Sequence, residues 1–150
     1  MMLGKLLHPD ILSALARAGH GSRVLIADAN YPCATKSPPS ARQVFLNLRP
    51  GLVQAKDVVM VVCEAVPIEA ATVMEPPDSK PLAIHEEYRQ SLPEGVEWVK
   101  RKRQEFYAEA SSPDTTLVIA TGEERRFANI LLTIGVVKPK ENESPGSQGV

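Results

Sequence analysis

GHGSRVLIADANYP, residues 19–32, decides how the rest of the chain is read, because a short apolar strand here carries a titratable side chain at each end. Gly19 stops what precedes it, and Val24, Leu25 and Ile26 form a brief apolar run suited to a buried strand. Asp28 and Asn30 stand where that run ends, beside the turn signal Tyr31-Pro32. In open α/β sheets ligands gather outside the carboxyl ends of strands, which makes Asp28-Ala29-Asn30 a candidate ligand loop. His20 sits at the opposite end. At ~3.3 Å per residue a strand of about four residues holds its ends more than about 10 Å apart. His20 and Asp28 therefore share a pocket only if a loop folds back or a neighbouring subunit reunites them. Otherwise His20 is a loop histidine paired with a backbone carbonyl.

Working outward, residues 8–19 predict a helix, with His8 and Pro9 at its entrance, Asp10 in the first turn and Gly19 in a left-handed position at its end. Ile11, Leu12 and Leu15 supply its inward stripe. Residues 31–51 are rich in Pro, Ser and Gly and predict a loop over the strand end, with an edge strand around Val44, Phe45 and Leu46. Between Leu52 and Ala65 periodicity does not separate a buried helix from a strand, and length favours the helix. Strands are expected at Ala70–Met74, Val96–Val99, Thr116–Ala120 and Asn129–Ile134, and helices at Leu82–Leu92 and Arg101–Ala110. This alternation implies an α/β sandwich, its sheet covered on both faces. The strand-end rule also selects Thr121-Gly122-Glu123.

At 150 residues one domain suffices. We place it at residues 1–137, followed by a polar tail, 138–150, rich in breakers and expected to be disordered. Net charge is −1 with both signs scattered, which lacks the basic footprint of a nucleic-acid binder. The one local run, Lys100-Arg101-Lys102-Arg103, reads as a solvated helix start. Cys33 and Cys63 have neither CxxC spacing nor the density of a secreted scaffold, and no apolar stretch at the N-terminus is long enough for a leader or a membrane span. A cytoplasmic protein without a membrane or nucleic-acid partner is expected.

His8, His20 and His85 are far apart and form no HxH or HExxH pair, so no metal site is expected. Dinucleotide and P-loop signatures are absent, and no serine stands in a nucleophile-elbow pattern. Arg103 and Tyr107 are four apart on a predicted helix and share a face, where an arginine fork and a phenol can grip a polyol or simply face solvent. The residues alone reach an α/β protein able to bind a small polar ligand.

Three stretches carry a resemblance: residues 19–32 with the helix before them, RQEFYAEA (103–110), and ATGEERRFANILLTIGV (120–136). They resemble the sugar mutarotase family of L-fucose mutarotase and D-ribose pyranase, over nearly the whole chain to Val136. The resemblance implies a three-layer α/β/α sandwich with a central mixed, mostly parallel sheet. It implies a ring-like homo-oligomer, a decamer or an octamer, with sites at subunit contacts. It makes His20 the catalytic histidine and Asp28 a sugar-binding carboxylate. The family's basic position falls on Arg103, where arginine resembles the fucose branch. The family's Tyr-small-Asn triplet falls on Phe127-Ala128-Asn129 as substrate-binding residues, with phenylalanine replacing tyrosine and removing a hydroxyl.

The implied reaction interconverts the α and β anomers of a free monosaccharide, L-fucose or a related sugar, by acid/base ring opening and closure. It needs no cofactor and no metal. His20 would move the protons, Asp28 and Arg103 would hold hydroxyls, and Tyr107 is a possible second relay. Interconversion of ribose ring forms and a non-catalytic sugar-binding oligomer are the alternatives.

Overall fold

The computed structural model describes residues 1–140, so most of the expected tail, residues 141–150, lies outside the described residues. His8 caps helix α1 (Pro9–Arg17): its Nδ1 accepts the N–H groups of Asp10 at 3.2 Å and Ile11 at 3.4 Å, two donors that the first turn leaves without partners. Ile11, Ala14 and Leu15 form its buried stripe. The helix does not end on a left-handed Gly19. Its C-cap is Ala18 in extended conformation, and the left-handed residue is Gly21 at φ 84°, where the chain turns into strand β1 (Arg23–Ala27). The turn is fixed from elsewhere, because Gly21 N–H donates to Ile134 O at 2.9 Å.

The remaining elements follow in the expected order. They are β2 (Arg42–Phe45), α2 (Ala55–Ala65), β3 (Ile68–Met74), α3 (Ala83–Ser91), β4 (Glu97–Arg101), α4 (Arg103–Ala110), β5 (Thr115–Ala120) and β6 (Ile130–Ile134). Residues 55–65 are helical, as length favoured, and the basic run divides between the end of β4 and the start of α4.

One six-stranded sheet has the order β2-β5-β1-β6-β3-β4. The pairs β2·β5, β5·β1 and β3·β4 are parallel, while β6 runs antiparallel to both β1 and β3. Five strands thus share one direction and β6 opposes them, which is the expected mixed, mostly parallel sheet. Val24 and Ile26 point to one face and Leu25 and Ala27 to the other, as the two-residue period of a strand requires. Both faces are covered, so the run reads as continuously apolar rather than alternating.

The cover is uneven. Helices α1, α2 and α3 pack one face around Ile11, Leu15, Val58, Val59, Val62, Ile84 and Tyr88. The other face carries α4 through Phe106 and Ala110, with Tyr31 and Cys33 from the segment after β1. The single helix leaves room at the sheet's edge beside it.

Candidate active site

Because five strands run one way, the carboxyl ends of β1, β3 and β4 meet along one edge of the sheet. Strand β6, running the other way, begins at that same edge. A cavity of about 190 Å³ opens there, lined by Asp28, Asn30 and Tyr31 after β1, Met74 at the end of β3, Arg103 and Tyr107 on α4, and Arg126, Phe127 and Asn129 before β6.

Asp28 is buried, and its backbone N–H donates to Asn129 Oδ1 at 2.7 Å, tying the exit of β1 to the entrance of β6. With Oδ1 so occupied, Asn129 has two amide N–H donors to offer a ligand. Burial pushes the Asp28 carboxyl above the usual carboxylate range. The N–H groups of Asn30, Ala128 and Tyr31 pull it down, the Glu123 charge pushes it up again, and the net shift is upward. Asn30 N–H donates to Asp28 Oδ1 at 3.0 Å. The carboxylate is therefore held by a backbone donor yet poorly solvated, a setting in which a further hydroxyl or N–H donor is welcome.

Helix α4 supplies the cationic wall. Phe106 and Ala110 bury its inner face, which turns Arg103 and Tyr107, one helical turn apart, toward the cavity. The Tyr107 ring meets Tyr31 edge to face at 5.6 Å. Tyr31 spends its hydroxyl on Lys36 O at 2.7 Å, so it presents only its ring. Arg103 and Arg126 stand 5.7 and 5.6 Å from the centre of the Phe127 ring, and neither forms an ion pair among the described residues. Both forks remain available to hydroxyl or anionic oxygens.

The expected residues separate into two groups. Asp28, Arg103, Tyr107, Phe127 and Asn129 share the cavity. Ala128 sits between two of them, but its methyl is in the core; what it brings to the site is its N–H, directed at Asp28. His20 is at the far edge of the sheet, with its side chain 59% exposed and its Nε2 3.0 Å from Glu69 Oε2. That partner is a carboxylate at the start of β3, not the backbone carbonyl considered above. Thr121-Gly122-Glu123, the other strand-end loop, has a structural role. Thr121 Oγ1 donates to Ala27 O at 2.7 Å, and Glu123 pairs with Arg125 at 2.9 Å. Burial pushes the Glu123 carboxyl up, but the hydrogen bonds and charge of Arg125 outweigh it and hold the group below its usual range.

Asn30, part of the candidate ligand loop, lines the cavity as expected, whereas sequence reasoning missed Tyr31, Met74 and Arg126 as lining residues. Asn30 and Tyr31 were signalled by their place directly after Asp28. Met74 and Arg126 had no local signal, since only the order of strands brings them to Asp28.

Among the described residues no three His, Cys, Asp or Glu side chains group as metal ligands, and no helix is long and apolar enough to cross a membrane. Fold and cavity together define an α/β protein with a small polar-ligand site at a strand-end edge. The chain belongs to the RbsD / FucU transport protein family, whose sequence profile matches residues 1–137. The D-ribose pyranase of Variovorax paradoxus (strain S110) is 33% identical over 136 residues, covering 87% of this chain and 95% of that one. The fucose mutarotase of Bos taurus is 32% identical over 151 residues, covering 91% and 93%. Overall identity therefore does not separate the two branches. Among solved structures, Bacillus subtilis RbsD complexed with D-ribose superposes with a TM-score of 0.76 at 27% identity, over 92% of this chain and 100% of that one. The fucose mutarotase in complex with L-fucose from Streptococcus pneumoniae gives 0.73 at 25%, over 89% and 96%.

Proposed function

We propose that the chain is a monosaccharide mutarotase, an isomerase that interconverts the α and β anomers of L-fucose or a closely related free sugar. The observation that carries this reading is the convergence of Asp28, Arg103, Tyr107 and Asn129 on one cavity. They combine one acceptor carboxylate with several N–H and O–H donors, which is the pattern a ring of hydroxyls needs. Its volume of about 190 Å³ lies below the roughly 300–1,000 Å³ of drug-sized sites, which suits one sugar ring. The family and its ribose- and fucose-named relatives support the same reaction class.

Ring opening removes the proton of the anomeric hydroxyl, breaks the bond from the anomeric carbon to the ring oxygen, and delivers a proton to that oxygen. The open aldehyde rotates, and closure on its other face reverses each step. No electron pair leaves the sugar, so no redox partner is required. The cavity of one chain contains no histidine. We assign the proton transfer to His20 of a neighbouring copy, brought to the cavity mouth in a ring-like homo-oligomer, a decamer or an octamer. An imidazole side chain can serve as both general acid and general base. Arg103 then donates to the oxygen that gains charge during opening. Phe127 offers no hydroxyl, so Tyr107 is the phenol left to relay a proton or hold the sugar. A cytoplasmic location accords with an activity on free sugar.

Saturation-transfer NMR on L-fucose and D-ribose tests the reading. Enhanced exchange between anomers is expected. Exchange between pyranose and furanose forms alone would favour the ribose alternative. Line broadening without added exchange would leave only a binding protein.

A further inference from the structure

Helix α3 carries two donors that the reaction above does not use. His85 and Tyr88, three residues apart, share a face of α3, and they end on successive carbonyls of the loop entering β6. His85 Nε2 lies 2.7 Å from Phe127 O, and Tyr88 Oη donates to Ala128 O at 2.6 Å. A carbonyl only accepts, so Nε2 carries the ring proton in the neutral imidazole. The ring is half-buried against Trp98, 5.9 Å between centres and edge to face.

The peptide held this way is the one the sugar site depends on. Phe127 has φ 59°, a left-handed backbone that a non-glycine residue keeps only where its surroundings impose it. The oxygen of the Phe127–Ala128 peptide receives His85, Asn129 one residue further on accepts the Asp28 N–H at 2.7 Å, and the Ala128 N–H between them lowers the pKa of the Asp28 carboxyl. One peptide unit thus lies in series between imidazole and carboxylate. A donor on its oxygen fixes the orientation of the peptide and polarises its N–H, which strengthens the pull of that N–H on the Asp28 charge. We propose that His85 is a positioning residue of the sugar site, acting on Asp28 through the Phe127–Ala128 peptide.

The proposal rests on the sugar-site reading, and its test keeps the two apart. The full-length protein, His85→Ala and His85→Gln are compared in three ways: by the KM and kcat of anomer exchange on L-fucose and D-ribose, by thermal melting, and by 13C titration of the Asp28 carboxyl. His85→Ala is expected to fold and to raise the sugar KM by about three- to tenfold, the scale of one hydrogen bond's net contribution, with a smaller change in kcat. The Asp28 titration midpoint should move up, because its N–H donor is weakened. His85→Gln restores an N–H donor and should recover most of both effects. A wild-type KM with an unmoved Asp28 midpoint in His85→Ala overturns the proposal, as does failure of the glutamine variant to recover either. If His85→Ala does not fold, His85→Leu fills the space against Trp98 without a donor. A wild-type KM and midpoint there, or a second failure to fold, overturns the positioning role. Wild-type protein that neither binds nor exchanges either sugar would sink the sugar reading instead, and the Asp28 titration would still decide the role of His85.

Discussion

Replacing Asn129 tests the tie on which the cavity is built. Its Oδ1 accepts the Asp28 N–H at 2.7 Å, and both residues are at most 5% exposed. Asn129→Ala leaves that buried N–H without a partner, at a cost of about 1–3 kcal/mol. For a domain of this size each kcal/mol moves the melting temperature by roughly 2–4 °C, so a fall of about 2–12 °C is expected by calorimetry. Asn129→Asp separates the hydrogen bond from the charge. It keeps an acceptor for the N–H but sets a second carboxylate beside Asp28, whose pKa is already raised by burial and by Glu123. Folded-state pKa values raised above the unfolded ones give stability that is present at low pH and lost as pH rises through the folded value. Asn129→Asp should therefore melt near wild type at pH about 4 and well below it at pH about 8, whereas the Asn129→Ala deficit should change little with pH. If Asn129→Ala melts within about 1 °C of wild type, or if the aspartate deficit does not grow with pH, the tie is not what holds β1 to β6.

Asp28→Asn should lower affinity for L-fucose in an NMR titration while leaving the melting temperature at pH 8 equal to wild type or higher, because it removes a carboxylate whose dominant perturbation is burial; a lower melting temperature at that pH would show that the backbone N–H groups outweigh burial. Gly122→Ala is expected to yield insoluble or unfolded protein, since a Cβ there would clash with the carbonyl oxygens of Leu52 and Arg49, both backbone atoms with no freedom to withdraw. A soluble variant with a native melt would contradict that packing. If each site takes His20 from one copy and Asp28 from another, inactive His20→Ala and Asp28→Asn chains refolded together should regain about a quarter of wild-type exchange, the share of contacts at which both residues are intact. No recovery in a mixed oligomer would place both residues in one chain's site or His20 in none.

The local part of this fold was legible. Val24-Leu25-Ile26 announces a buried strand, and the Gly-, Pro- and Asn-rich joints announce where elements stop, because these are properties of a few adjacent residues. The helix over residues 55–65 was reached by length, since its buried stripe of Ala55, Val58, Val59 and Val62 is flanked by apolar residues on the outer side as well, Met60, Val61 and Ala65, which blur the period. Gly19 was misassigned because Gly19 and Gly21 both follow the helix, and the left-handed position fell to the one whose N–H reaches Ile134, a partner more than a hundred residues away. Arg103 and Tyr107 were legible as a pair from helical spacing alone. Arg126 and Met74 were not, because membership of the cavity depends on β6 lying between β1 and β3, and no short stretch encodes that order.

The reversed strand also explains why the candidate residues divide. By running against its neighbours, β6 brings its entrance, Phe127 to Asn129, to the carboxyl ends of β1 and β3, where Asn129 can receive the Asp28 N–H. A parallel strand in the same place would enter at the opposite edge and leave that N–H buried without a partner. The same reversal sends the end of β6 to the far edge, where Ile134 fixes Gly21 and, one residue before it, His20 stands paired with Glu69. One edge thus carries the cavity lined by Asp28, Arg103, Tyr107 and Asn129, and the other carries an exposed imidazole. On the proposed reading, binding is a property of the single chain and turnover a property of the contact between copies. That follows from the direction of one strand.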